Sequence, residues 1–222
     1  LIVGTLTTLI VAPFALFFGI AAGYFGKWVD DVVQYVYTTL ASIPDILLIA
    51  SVMIIVQAGL TEEATAITAE KRLFWLCVIL GITGWTEMCR LLRGETLKVR
   101  ELEYVTAAEA FGAGPARIMF KHILPNVMHL VLISVVLRFS GLVLFEAVLT
   151  YVGIGVDPTT ESWGTMINNG RLELSRDPIV WWNLLAAFVF MFGLVLAANI
   201  FGDAVRDALD PRLRSRLGKE KA

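Results

Sequence analysis

The sequence predicts an all-α membrane protein, a bundle of about five transmembrane helices with a helical loop at one end. Three observations predict it. Of the 222 residues, 57% are hydrophobic and 17% charged, against roughly 45–50% and about 25% in soluble domains. The mean hydropathy of +0.74 requires several long segments almost free of polar side chains. Five stretches, near 1–25, 32–60, 73–92, 127–156 and 179–202, approach the roughly 20 apolar residues that a spanning helix needs. A net charge of -2 offers no basic field to a polyanion, so nucleic acid is excluded as a partner.

Lys and Arg orient the bundle, because cytoplasmic loops collect them. Lys27, the six between Arg90 and Lys121, and the six of the tail fall on one side. Lys71, Arg72, Arg171 and Arg176 fall on the other, and Arg138 lies within a span. The expected topology has the loop 93–126, the tail 203–222 and the C-terminus cytoplasmic, with external loops at 61–72 and 153–178.

Segment 1–25 has no charged leader and exceeds a signal-peptide core, so it reads as a retained span. It begins without Met, and a preceding helix or tail is expected. Ala15, Gly19 and Gly23 recur every four residues, a stripe of small side chains against which another helix packs closely. In 32–60, Pro44 removes a backbone donor and obstructs the preceding turn. With Asp45 beside it, the break either shapes a translocation path or is an ordinary interhelical kink.

In 73–92, Cys77 and Cys89 stand roughly 18 Å apart along a helix, too far to bridge, and read as small core residues. Glu87 and Arg90, three apart, read as a local ion pair.

The connection 93–126 is far longer than a tether requires. Tyr104, Ala107, Ala108 and Phe111 fall at i, i+3, i+4 and i+7, one apolar face of a short helix with acids in its first turn. Gly112 and Gly114 stop it, Pro115 opens a second short helix, and Leu124-Pro125-Asn126 ends that helix before the next span.

These residues carry a specific resemblance. Ala107-Ala108, Gly112 four residues on, and Leu124-Pro125 twelve later resemble the "EAA" loop of membrane subunits of binding-protein-dependent ABC importers. Thr106 stands where that motif has Glu, and His122 where it has Ile. Glu103-Tyr104-Val105, His122-Ile123-Leu124-Pro125-Asn126, Gly153-Ile154-Gly155-Val156, Ser162-Trp163-Gly164 and the run from Gly202-Asp203 to Arg212 are similar to the second membrane subunit of peptide/nickel-type permeases.

The resemblance implies a multi-pass subunit of a bacterial or archaeal cytoplasmic membrane, with a core of six helices of which one precedes this chain. It implies transport of dipeptides, oligopeptides or a similar solute, and docking of the loop into an ATPase subunit. The implied partners are a second homologous permease subunit, two ATP-binding subunits, an extracytoplasmic solute-binding protein and membrane lipid. No cofactor is expected on this chain: it has no G-x-x-x-x-G-K-[ST] loop, so ATP-Mg would sit on the partner ATPase subunits. No metal or catalytic site is expected either, since H-E-x-x-H and G-x-S-x-G patterns are absent. The implied coupling residues are Tyr104, Ala107, Ala108, Phe111, Gly112, Leu124 and Pro125.

In 127–156, Arg138 and Glu146 lie about 12 Å apart along the helix, so each needs its own partner or a wet cavity. With Pro44 and Asp45 they are the candidates for the translocation path, although Arg138 could equally pair with a neighbouring subunit. The other class the sequence admits is an ion-coupled secondary transporter, which would use Asp45 and Glu146 and show inverted repeats. In 153–178, glycines, Asp157 and Pro158 make turns, and Trp163 and Trp181-Trp182 suit a membrane interface.

Overall fold

The computed structural model describes residues 2–61 and 69–209, which are mostly helical with no strand among them. In order the helices are α1 (Ile2–Phe25), α2 (Lys27–Ala41), α3 (Asp45–Thr61), α4 (Ala69–Thr83), α5 (Thr86–Arg100), α6 (Glu103–Ala110), α7 (Pro115–Ile118), a π-helical turn (Met119–Ile123), α8 (Leu124–Tyr151), α9 (Trp163–Glu173) and α10 (Trp182–Leu209). Four runs among the described residues are long and apolar enough to cross a membrane: Ile2–Phe25, Ala69–Arg100, Pro115–Tyr151 and Trp182–Ala208. A fifth is gained if the bent pair α2–α3 counts as one span.

The bundle is organised on α1. Its small-residue stripe lies against α5 so closely that a Cβ at Gly19 would stand 2.9 Å from the Cys89 carbonyl. One at Gly23 would stand 2.6 Å from Thr96 Cβ. Ala15 on the same stripe is fully buried, as a packing seam requires. On the facing helix Cys89, Leu92, Thr96 and Val99 are buried at alternating three- and four-residue spacing, the stripe by which a helix covers a neighbour. Both cysteines are buried and unbridged.

Charges finish this seam. Arg93 of α5 makes a two-pronged ion pair with Asp30 of α2, with Nη2 to Oδ2 at 2.7 Å, a geometry that fits a guanidinium fork. Arg100 donates to the Tyr24 carbonyl at 3.0 Å and so caps α1, whose last carbonyls have no partner within the helix. The chain then reverses through Gly26 and Lys27, both at positive φ.

Three segments differ from the sequence reading. The stretch 32–60 is not one helix: α2 stops at Ala41, α3 starts at Asp45, and the pair is bent by 87° around Pro44. The helix of the third span does not end at Leu92 but runs on to Arg100, with Arg93 paired to Asp30 and Arg100 donating to the end of α1. The connection proper is correspondingly short. Third, Leu124-Pro125-Asn126 does not interrupt the next helix. The backbone passes from α7 into α8 through the π turn, where Leu124 N–H donates five residues back to Met119, and Pro125 occupies the first turn of α8, where its missing donor matters least. The tail residues Arg212, Arg214, Arg216, Lys219 and Lys221, and most of loop 61–72, lie outside the described residues.

At the far end of α8, Gly153 at φ 89° closes the helix, and Ile154 N–H returns to the Leu149 carbonyl at 2.9 Å. The segment 153–178, read as turns, contains a full helix, α9. Its first turn is fixed by a reciprocal capping box between Ser162 and Thr165. Arg72, at the start of α4, donates to the carbonyls of Gly155 (2.9 Å) and Gly153 (3.1 Å), tying this segment to the bundle.

The seam predicts that Gly23→Val, which drives side-chain carbon into Thr96 and the Arg93 carbonyl, destabilises the bundle by about 1–3 kcal/mol. The check is a lowered midpoint of thermal unfolding in detergent, with Gly94→Ala, whose Cβ would meet nothing within 4 Å, as control.

Candidate functional site

The end of the bundle formed by α5, α6 and α7 carries a helical elbow. Its turn is a complete Schellman closure: Gly112 N–H bonds to Glu109 and Ala113 N–H to Ala108, at 2.9 and 3.0 Å. Gly112 sits at φ 81°, where any side chain is strained. That glycine therefore fixes the angle between the two short helices. The elbow is seated by Val105 (1% exposed) and by Ile118 and Ile123, all in the core with α1 and α5.

The face read from the sequence as apolar is the one left outside. Phe111 is 92% exposed, Tyr104 and Ala107 are exposed, and Ala108 is half-buried. Phe120 adds a further uncovered ring. Of the last pair, Leu124 is half-buried against the core and Pro125 is exposed. Asn126, read from the sequence only as part of a helix end and of the family run, donates to the Tyr104 hydroxyl at 2.9 Å and holds α6 to the start of α8. His122 lies alongside, its ring 6.2 Å from that of Tyr104. The signal for Val105 was available, since an apolar residue off the Tyr104 face has to point somewhere.

Deeper in the bundle is a cavity of about 490 Å³ between α3, α4, α5 and α8. It brings Asp45 and Arg138 together and adds Glu87. Within this chain Arg138 lies 3.7 Å from Glu87. The local pair expected between Glu87 and Arg90 is not formed: Arg90 instead lies over the Tyr37 ring, 5.7 Å from its centroid. Helix direction explains the exchange, since Arg90 points to α2 and Glu87 into the cavity. Pro44 does not line this space; it sets the break that brings Asp45 to the first turn of α3.

Glu146 is elsewhere. It lines a second pocket of about 550 Å³ with Glu161 and Trp163, and its carboxylate accepts from the Thr150 hydroxyl at 2.8 Å. The same hydroxyl accepts Val156 N–H at 3.2 Å. A Cβ on Gly155 or Gly164 would strike Thr150, so both glycines let the segment close over the end of α8. Nearby, Thr159 donates twice to Asp157, which holds that carboxyl below the usual carboxylate range.

Residues 15–215 match the family described as binding-protein-dependent transport system inner membrane component. The chain belongs to that family. Among curated relatives, it is 33% identical over 196 residues to an oligopeptide transport system permease protein, OppC, of Bacillus subtilis, covering 88% of this chain and 59% of the relative. To a dipeptide transport system permease protein, DppC, of the same organism it is 31% identical, covering 96% and 62%. To OppC of Mycobacterium tuberculosis it is 33% identical, covering 97% and 69%. This family member thus spans about six-tenths of the length of the first two. Its fold is also that of a solved structure, an inward-facing MetNI methionine ABC transporter chain, at a TM-score of 0.62 and 18% identity, covering 95% of this chain and 96% of that one. The resemblance drawn from the loop motif is thereby borne out.

For the far end the expected outcome is specific. Thr150→Val strands the buried Glu146 carboxylate and Val156 N–H, at about 1–3 kcal/mol. Faster protease cleavage within 153–162 and a lowered unfolding midpoint would report it, and Thr150→Ser should restore both.

Proposed function

We propose that this chain is the membrane permease subunit of an ATP-driven importer of dipeptides, oligopeptides or a similar solute, and that it borrows its power from a partner. The observation that carries the reading is the elbow. An apolar helix face held outward by a core-seated residue, on a member of this family, is suited to a groove on an ATP-binding subunit. The dipeptide and oligopeptide systems named for its relatives support peptides as cargo.

The complex we propose has a second homologous permease subunit, two ATP-binding subunits and an extracytoplasmic solute-binding protein. ATP-Mg sits on the ATP-binding subunits, and this chain holds no cofactor. The basic residues around the elbow argue for a cytoplasmic elbow and C-terminus in a bacterial or archaeal cytoplasmic membrane. Segment 153–178 then faces the binding protein.

The geometry suggests how force travels. The continuous helix Pro115–Tyr151 is about 55 Å long, joining elbow to far end without a loop. When ATP closes the two ATP-binding subunits, the seated elbow is displaced and this rod carries the movement past the cavity. Access alternates by rigid-body tilting of the bundles.

Two experiments test this. The full-length protein should co-purify with an ATP-binding subunit in mild detergent, and failure to do so would overturn the reading. Ala108→Glu and Gly112→Asp should leave the subunit inserted but reduce ATP-dependent uptake at least ~10-fold, the equivalent of about 1.4 kcal/mol of coupling. Normal uptake by both variants would sink the role given to the elbow.

A further inference from the structure

The cavity between α3, α4, α5 and α8 holds a guanidinium whose hydrogen-bonding capacity is largely unused. Arg138 has five N–H donors, and its Nε is buried with no hydrogen-bond partner. Its contact with Glu87, at 3.7 Å, is beyond hydrogen-bond length, and the Glu87 side chain is 78% exposed. An arginine within a span ordinarily faces groups that satisfy it. Arg138 also lines an open space of about 490 Å³, within the 300–1,000 Å³ typical of small-ligand sites.

The charges around that space discriminate between ligand classes. Glu87 and Asp45 are the carboxylates whose fields act on Arg138, so the cavity has two acids and one base. A simple anion would gain Arg138 but meet both carboxylates. A simple cation would gain the carboxylates but leave the buried guanidinium unsatisfied. A zwitterion pairs both: its carboxylate matches the guanidinium fork, and its ammonium lies towards the acids. The walls make no other demand, being mainly apolar, with Ile49, Leu80 and Phe145 among them. At Gly141 a Cβ would meet nothing within 4 Å, so that wall leaves room for variable side chains.

We propose that this cavity is a binding site for short zwitterionic peptides, with the peptide carboxylate on Arg138 and its free ammonium between Glu87 and Asp45. The proposal rests on the permease reading and names the part of the cargo that this chain recognises: the two charged termini, whatever the side chains.

The test is equilibrium dialysis of radiolabelled dialanine against the assembled transporter in lipid nanodiscs, without ATP or binding protein. Dialanine should bind at least ~10-fold more tightly than its N-acetylated, C-amidated form, about 1.4 kcal/mol. Arg138→Gln should abolish the preference for a free carboxylate. Arg138→Lys should keep part of that preference, and Glu87→Gln with Asp45→Asn should abolish the preference for a free amine. Absent binding by the unmutated protein, equal binding of the blocked peptide, or unchanged dialanine binding by Arg138→Gln would each overturn the site. ATP-dependent dialanine uptake into proteoliposomes reads the permease assignment separately: binding with this pattern but no uptake sinks that assignment and leaves the site standing, whereas uptake without the pattern does the reverse.

Discussion

The close approach of α1 and α5 is the contact on which the other features depend. Between lipid-facing helices there is little hydrophobic drive to associate, so van der Waals contact at short distance has to supply the attraction. Gly19 and Gly23 permit that distance. Once the backbones meet, Arg93 falls beside Asp30 and Arg100 reaches the end of α1. Those two arginines fix where α5 ends, and the end of α5 fixes where the elbow begins. A bulkier residue in the stripe would therefore displace charges as well as helices.

The same economy of polar groups separates the two ends of α8. At the far end every buried polar atom of the Glu146–Thr150–Val156 group has a partner, and the segment above is pinned by Arg72. Midway, Arg138 is incompletely satisfied. A satisfied buried network rigidifies, whereas an unsatisfied one awaits a ligand or a change of shape. A satisfied network and an unsatisfied guanidinium thus occupy different turns of one helix.

Much of this was legible in the sequence because the physics was local. Hydropathy marked the spans, four-residue spacing marked the glycine stripe, and Gly112 with Pro115 marked the elbow. What stayed hidden depended on partners distant in the chain. Arg93 looked like a loop residue because Asp30 is 63 positions away. Glu87 looked like the neighbour of Arg90 because its actual counterpart, Arg138, belongs to another helix. Pro125 looked like a terminator because a change of helical register leaves no trace in composition. The α9 helix was missed for the opposite reason: its turn-forming flanks were read, and the Ser162–Thr165 box between them was not.

That change of register, at Met119–Ile123, has a geometric effect of its own. One additional residue in a single turn rotates everything beyond it by about 100° relative to an uninterrupted α-helix. The elbow and α8 are one rod mechanically but are out of phase azimuthally. The direction in which Phe120 and the elbow face is consequently set independently of the direction in which α8 faces α1 and the cavity. A single inserted turn of this kind lets the bundle keep its internal packing while the exposed face of the elbow is aimed on another bearing.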